Sequence, residues 1–335
     1  YEICACLVGS EMCIRDSLLL ERYCGFGGLK CILNPARELA DAVHWAKSDL
    51  ELFAPTVELH RLIRENSKNE SEYKQLMDSL KQSVLTAFYT PSAVTEALTD
   101  VLKEHHIIPE KVLEPSAGIG AFVDSVLDNN PKADIMAFEK DLLTGKILRH
   151  LHPEQKVRIE GFEKIEKPFN DYFDLAISNI PFGDVAVFDP SYTAMKGMRA
   201  LVTRRIHNYF FVKALDTVRD GGLVAFITSQ GVLNAKNNSA ARFMMLYHAD
   251  LVSAIRLPNN LFTENANTEV GSDLIILQKN TQKESLRGDD NLLDTVYNDE
   301  NRIPTNNYFL EHPERIIHTT AKLDTDPFGK PAMIY

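Results

Sequence analysis

Beyond Pro91 the chain alternates short apolar runs with amphipathic stretches, and this alternation constrains the fold more than any other feature. The runs KVLEP, ADIMAFE, KVRIEGF, FDLAISN and GLVAFITS are rich in Val, Ile, Leu and Phe; between them lie GAFVDSVLDN, LLTGKILRHL and NYFFVKALDTVR, with apolar residues at helical spacing. Apolar runs that alternate with helical patterns of about 10–15 residues make βαβ units. The expected fold is α/β, a doubly wound, Rossmann-like parallel sheet closed by two further strands, LVSAIRLP and DLIILQKN.

Ahead of the sheet, residues 18–85 read as a helical N-terminal region, because LELFAPTVELHRLIREN and SEYKQLMDSLKQSVLTAF carry apolar residues three and four apart. Within it, YCGFGGLK (Tyr23 to Lys30) reads as a tight turn, since it lacks the phosphate-loop pattern. Further upstream, the string CLVGSEMCIRDS resembles a translated sequencing-adapter fragment, so residues 1–17 are expected to be a non-native leader, with the native protein extending further upstream. All five cysteines fall at or before Cys31, and Cys4, Cys6 and Cys13 do not have the spacing of a zinc site, so no metal is expected. A remainder without cysteine suits a reducing cytoplasm, and no run approaches the roughly 18 apolar residues of a membrane span. From 282 to 335 the chain turns polar, with ten acidic against six basic residues, and reads as an acidic arm or linker.

LEPSAGIGAF places Glu114, Pro115, Ser116, Ala117, Gly118 and Gly120 between a strand end and a helix that carries Phe122. The glycines permit a tight turn and close backbone approach, and the helix start offers free N–H groups. Glu114 would repel a pyrophosphate but suits a cofactor with a cationic amino acid portion. About 20 residues on, AFEKD puts Glu139 and Lys140 at the end of the next strand, where a carboxylate can accept both hydroxyls of a ribose. After the third strand, IEGFEKI offers Gly161 and Phe162 as flanks for a base, with Glu160 or Glu163 as acceptor. Together these landmarks indicate a nucleoside cofactor.

At the end of the fourth strand comes Asn179-Ile180-Pro181-Phe182. With TAFYTP (Phe88, Tyr89, Thr90 and Pro91) ahead of the glycine loop and HNYFFVKALDTVRDGGLVAFITS after it, the order from Thr86 to Lys279 resembles the S-adenosylmethionine-dependent adenine-N6 methyltransferases of DNA, of type I or gamma-like motif order, whose tetrad is [DNS]-P-P-[YFW]. The resemblance implies a methyltransferase domain over 86–281, S-adenosylmethionine as cofactor, and a duplex DNA substrate with the target base flipped out. It implies that the Asn179 side chain and the Ile180 carbonyl accept from the target amine while Phe182 stacks on the base. Ile180 departs from the pattern, which has proline there; this keeps the carbonyl but adds an N–H and a freer φ.

The net charge is −11, yet Lys196, Arg199, Arg204, Arg205 and Lys213 fall in a stretch without a carboxylate, and Lys196, Arg199, Arg204 and Arg205 are the expected phosphate contacts. The layout also resembles the methylase part of large methylase and helicase proteins of bacterial mobile elements or phages, which implies a helicase-like or target-recognition region elsewhere and a role linked to restriction-modification. Two alternatives remain open at this point: methylation of a protein glutamine or of RNA by the same fold, and an inactive cofactor-binding module.

Overall fold

The computed structural model describes residues 20–21, 23, 29–86, 90–195, 197–262, 269–286, 288–297, 303–317, 322–325 and 331–335. Its centre is a seven-stranded sheet: β1 (Lys111–Glu114), β2 (Asp134–Phe138), β3 (Lys156–Arg158), β4 (Phe173–Asn179), β5 (Val218–Ser229), β6 (Ala249–Leu257) and β7 (Ser272–Lys279). The order is β3-β2-β1-β4-β5-β7-β6. All neighbours from β3 to β5 pair in parallel, and β7 runs antiparallel to both β5 and β6. The strands are buried on both faces, as parallel sheets require, and successive residues feed opposite layers. Leu113, Met136 and Ala176 pack with Phe211 and Phe226 on one face, whereas Val112, Ile135, Leu175 and Ile177 pack with Phe122 and Val126 on the other.

The helices are α1 (Phe53–Glu65), α2 (Glu70–Thr86), α3 (Ser92–Glu104), α4 (Ala121–Asn129), α5 (Leu142–Leu151), α6 (Ile206–Thr217) and α7 (Ser239–His248), with several shorter turns. The helical N-terminal region has its own small core of Cys31, Ile32, Ala36, Trp45, Phe53 and Leu80. It docks where Ser79 of α2 bonds the side chain of Asp141 and accepts from the Leu143 N–H (3.2 Å) at the start of α5. Most of the glycine-rich turn, residues 24–28, lies outside the described residues. Among the described residues, no helix is long and apolar enough to cross a membrane.

The polar stretch after 281 is not a free arm. Leu292, Tyr308 and Phe309 are buried in the same core as β4 and β5. The buried Arg242 guanidinium donates to the carbonyls of Leu293, Val232 and Ala235, and the Asn306 amide donates to those of Leu233 and Leu292. A handful of anchors, too sparse to show as an apolar period, thus packs the described residues between 286 and 317 onto the core of the sheet.

Candidate methyl-transfer site

After β3 at one edge of the sheet, the chain returns to lay β4 beside β1. Ligands of doubly wound sheets bind where the order reverses, outside the carboxyl ends of the strands. The last residues of these two strands are Glu114 and Asn179. The end of β4 is tied to the loop after β1 by the Ser178 hydroxyl, which donates to the Ser116 carbonyl at 3.1 Å.

On the β1 side the chain turns through Gly118 and Gly120 into α4. Gly120 has φ +102°, and a Cβ there would meet the His152 imidazole at 2.4 Å, so both backbone and packing demand glycine. His152 itself lies 3.8 Å from the Asp124 carboxylate on α4. Glu114 is buried, its Oε2 has no hydrogen-bond partner among the described residues, and burial pushes its carboxyl well above the usual range, with the Asp124 and Glu139 charges adding. Glu139 follows β2 and accepts from the Gly118 N–H (2.9 Å) and the Asp141 N–H (2.7 Å). Burial pushes its carboxyl up to about 7 against those bonds.

On the β4 side the Ile180 N–H donates to the Ile227 carbonyl on β5 at 3.0 Å, and the Ile180 side chain is buried in the core. Pro181 and Phe182 are half-buried, and the Phe182 ring meets Phe262 edge-on, with centroids 6.2 Å apart. Gly183, at φ +134°, then turns the chain away.

Several expected residues take other places. Phe162 is 1% exposed and enclosed by Phe138, Tyr209 and Phe210, so it is a core ring and not an open platform for a base. Phe122 is likewise a core residue, on the buried side of α4, while Lys140 is exposed and Gly161 is buried at the start of a short turn. Thr90 and Pro91 lead into α3, which is pinned to α4 through Thr95, Thr99 and Ser125. Phe88 and Tyr89 lie outside the described residues, as does Lys196.

The basic stretch is largely neutralised from outside its own span. Arg199 forms a two-pronged pair with Asp216 (2.5 and 2.9 Å), Arg205 pairs with Asp184 (2.8 Å) and bonds Asn237 and Asn238, and Lys213 pairs with the buried Asp189 (3.2 Å). Arg204 is exposed and forms no ion pair among the described residues. Sequence reading also missed Ser178, Ile227, Phe262 and Asp189. Of these only Phe262 had a signal, an aromatic closing the run PNNLF after β6.

Strand order, the single reversed strand and the loops at the switch point define the class I S-adenosylmethionine-dependent methyltransferase fold. The chain belongs to the N-6 DNA methylase family, whose model matches residues 71–332. It is 29% identical over 201 residues to defense against restriction protein B of Escherichia phage P1, covering 58% of this chain and 8% of the phage protein. It is 24% identical over 173 residues to type II methyltransferase M.XamI of Xanthomonas campestris pv. amaranthicola, covering 48% of this chain and 33% of that enzyme. The chain thus aligns with a minor part of either relative's length. In fold it is similar to a protein described as a type I restriction enzyme modification subunit from Vibrio vulnificus YJ016, with a TM-score of 0.50 and 15% identity over 85% of this chain and 67% of that one. A class I S-adenosylmethionine-dependent methyltransferase from Listeria monocytogenes gives the same score and identity over 85% of this chain and 88% of its own.

Proposed function

We propose that this chain transfers a methyl group from S-adenosylmethionine to the exocyclic N6 amine of adenine in DNA. The observation that carries this reading is the pairing, across the β1 and β4 ends, of an acidic glycine loop with Asn179-Ile180-Pro181-Phe182, bridged by Ser178 and Ser116. The matched family of DNA methylases supports DNA as substrate.

The residues fit the cofactor. Glu114 keeps a buried oxygen without a partner, suited to an ammonium or its water, and each Glu139 oxygen has spent one lone pair on a main-chain N–H and keeps another for a ribose hydroxyl. Glu114, Pro115, Ser116, Ala117, Gly118 and Gly120 would hold the amino acid portion, and Glu139 the ribose. When bound, the cofactor supplies a methyl group already activated as a sulfonium.

The chain's own work is then to bind and orient. The Asn179 side-chain oxygen and the Ile180 carbonyl accept the two hydrogens of the target amine, favour a pyramidal nitrogen and stabilise the positive charge that develops on it. Phe182 stacks on the flipped base and fixes it for in-line transfer. The Ile180 N–H bond to the Ile227 carbonyl and its buried side chain fix the loop where the pattern has proline, which supports activity over an inactive module. The test is incubation with labelled S-adenosylmethionine and unmethylated DNA followed by nucleoside mass spectrometry. N6-methyladenine is the expected product; N4-methylcytosine, or label only in RNA or protein, would overturn the reading.

A further inference from the structure

Six residues beyond the tetrad phenylalanine stands a second one in an unusual setting. Phe188 is 79% exposed, the most exposed aromatic side chain among the described residues. A mobile loop tip would explain such exposure, but both neighbours of Phe188 are fixed. The Val187 N–H donates to the Thr203 carbonyl at 2.8 Å, and its side chain packs against the core. Asp189 is 2% exposed, and its carboxylate accepts from the Ser191 N–H (2.8 Å), the Ser191 hydroxyl (2.6 Å), the Tyr209 hydroxyl (2.7 Å) and the Lys213 ammonium (3.2 Å). Upstream, Asp184 is tied to Arg205. The ring is therefore presented to solvent from a rigid pedestal joined directly to the tetrad loop.

A second observation concerns charge. Arg204, next in the chain to the Thr203 that holds Val187, is exposed and forms no ion pair among the described residues, whereas Arg199, Arg205 and Lys213 are all paired. An exposed aromatic ring and an uncompensated guanidinium, on segments joined by the bond between Val187 and Thr203, suit a stack of bases flanked by phosphates. Apolar side chains that enter duplex DNA do so between base steps, and a base drawn out of the stack leaves a gap of that kind.

We propose that Phe188 is the wedge that enters the duplex beside the target adenine and fills the gap left when the base is extruded, with Arg204 on the adjoining phosphate; this rests on the DNA reading above. The ring makes no contact with the reacting atoms, so its role is positioning, and it matters only where a stacked base must be displaced.

The experiment compares Phe188→Ala, Phe188→Trp and the unaltered chain on a paired duplex and on the single strand carrying the same target. Phe188→Ala should lower the duplex rate by about tenfold, the rate equivalent of one base-stacking contact. It should leave the single-strand rate and S-adenosylmethionine affinity unchanged, and Phe188→Trp should retain the duplex rate. An unchanged duplex rate, or equal loss on both substrates, overturns the wedge while leaving the DNA reading intact. A concentration-dependent dimer of the unaltered chain that Phe188→Ala dissolves would assign the ring to self-association and likewise overturn it. Absence of methyl transfer by the unaltered chain to either DNA removes the DNA reading, and the wedge with it.

Discussion

The main-chain N–H of Ile180 donates to the carbonyl of Ile227 at 3.0 Å, extending the β4 to β5 ladder by one residue into the tetrad. A proline at this position would fix φ through its ring; here the neighbouring strand and a buried side chain do the same work. Ile180→Pro should therefore leave the Ile227 carbonyl unpaired and remove buried apolar atoms, costing about 2–4 kcal/mol of stability. Thermal denaturation checks the loss. Assayed below the variant's transition, the methylation rate should stay within about tenfold of the original, since both variants keep the carbonyl. A larger rise would identify Ile180 as the limit on the reaction.

On the proposed reading, Asn179→Ala removes an acceptor that strengthens only as charge develops on the target nitrogen. Methyl transfer should fall by about 100-fold or more, while cofactor affinity measured by calorimetry stays within about twofold. Equal loss of both would mean that Asn179 shapes the cofactor loop instead.

Cofactor binding should weaken in mild acid. Burial pushes the Glu139 carboxyl up to about 7, so it is ionised at pH 8 and mostly protonated at pH 6, where it is a poorer acceptor for ribose hydroxyls. The dissociation constant for S-adenosylmethionine should rise by about tenfold between pH 8 and pH 6. Glu139→Gln should bind more weakly at pH 8 and show a flat profile over that interval. In the ligand-free chain the sign is opposite: with a folded pKa above the ordinary value, this group's contribution to stability is full below about 4.5 and is lost as pH rises through about 7.

The buried pair of Arg256 and Asp273 ties the end of the sheet to the C-terminal segment. The guanidinium donates to both Asp273 oxygens (2.9 and 3.1 Å) and to Asn234 (3.0 Å), and it lies 4.2 Å from the Phe309 ring centre. Removing one partner strands a charge in the core. Asp273→Ala should destabilise the chain by about 3–5 kcal/mol in urea unfolding, whereas the double change Arg256→Met with Asp273→Leu should cost much less.

The sheet was legible because its apolar runs and glycine turns are local signals, and the motif order alone put Glu114, Glu139 and Asn179 at the ends of the first, second and fourth strands. What escaped was non-local. No carboxylate interrupts Ser191 to Lys213, so the basic run read as free; its partners Asp184, Asp189 and Asp216 lie just outside it and meet it only once the helices pack. Phe162 fell at a position suited to a cofactor flank, but whether a ring faces core or ligand depends on the rotation of a short turn that no periodicity records. The C-terminal segment hid its role for a related reason: Arg242 and Asn306 look like surface residues until the carbonyls they satisfy are known.

His207, at the start of α6, should make the chain acid-sensitive. It is 4% exposed, neither ring nitrogen has a hydrogen-bond partner among the described residues, and burial pushes it down to about 4, with the Arg205 charge adding and Asp184 opposing. The unfolded imidazole takes up its proton near 6.5 and the folded one only near 4, so the stability it contributes is full above about 6.5 and is lost as pH falls through 4. That window is worth on the order of 3 kcal/mol. His207→Leu removes the titration and leaves no buried polar atom behind. In urea unfolding its stability should fall by about 2–3 kcal/mol less than that of the unaltered chain between pH 7.5 and pH 4.5. Parallel losses in the two chains would show that His207 is hydrated or partnered in solution, and that acid acts elsewhere.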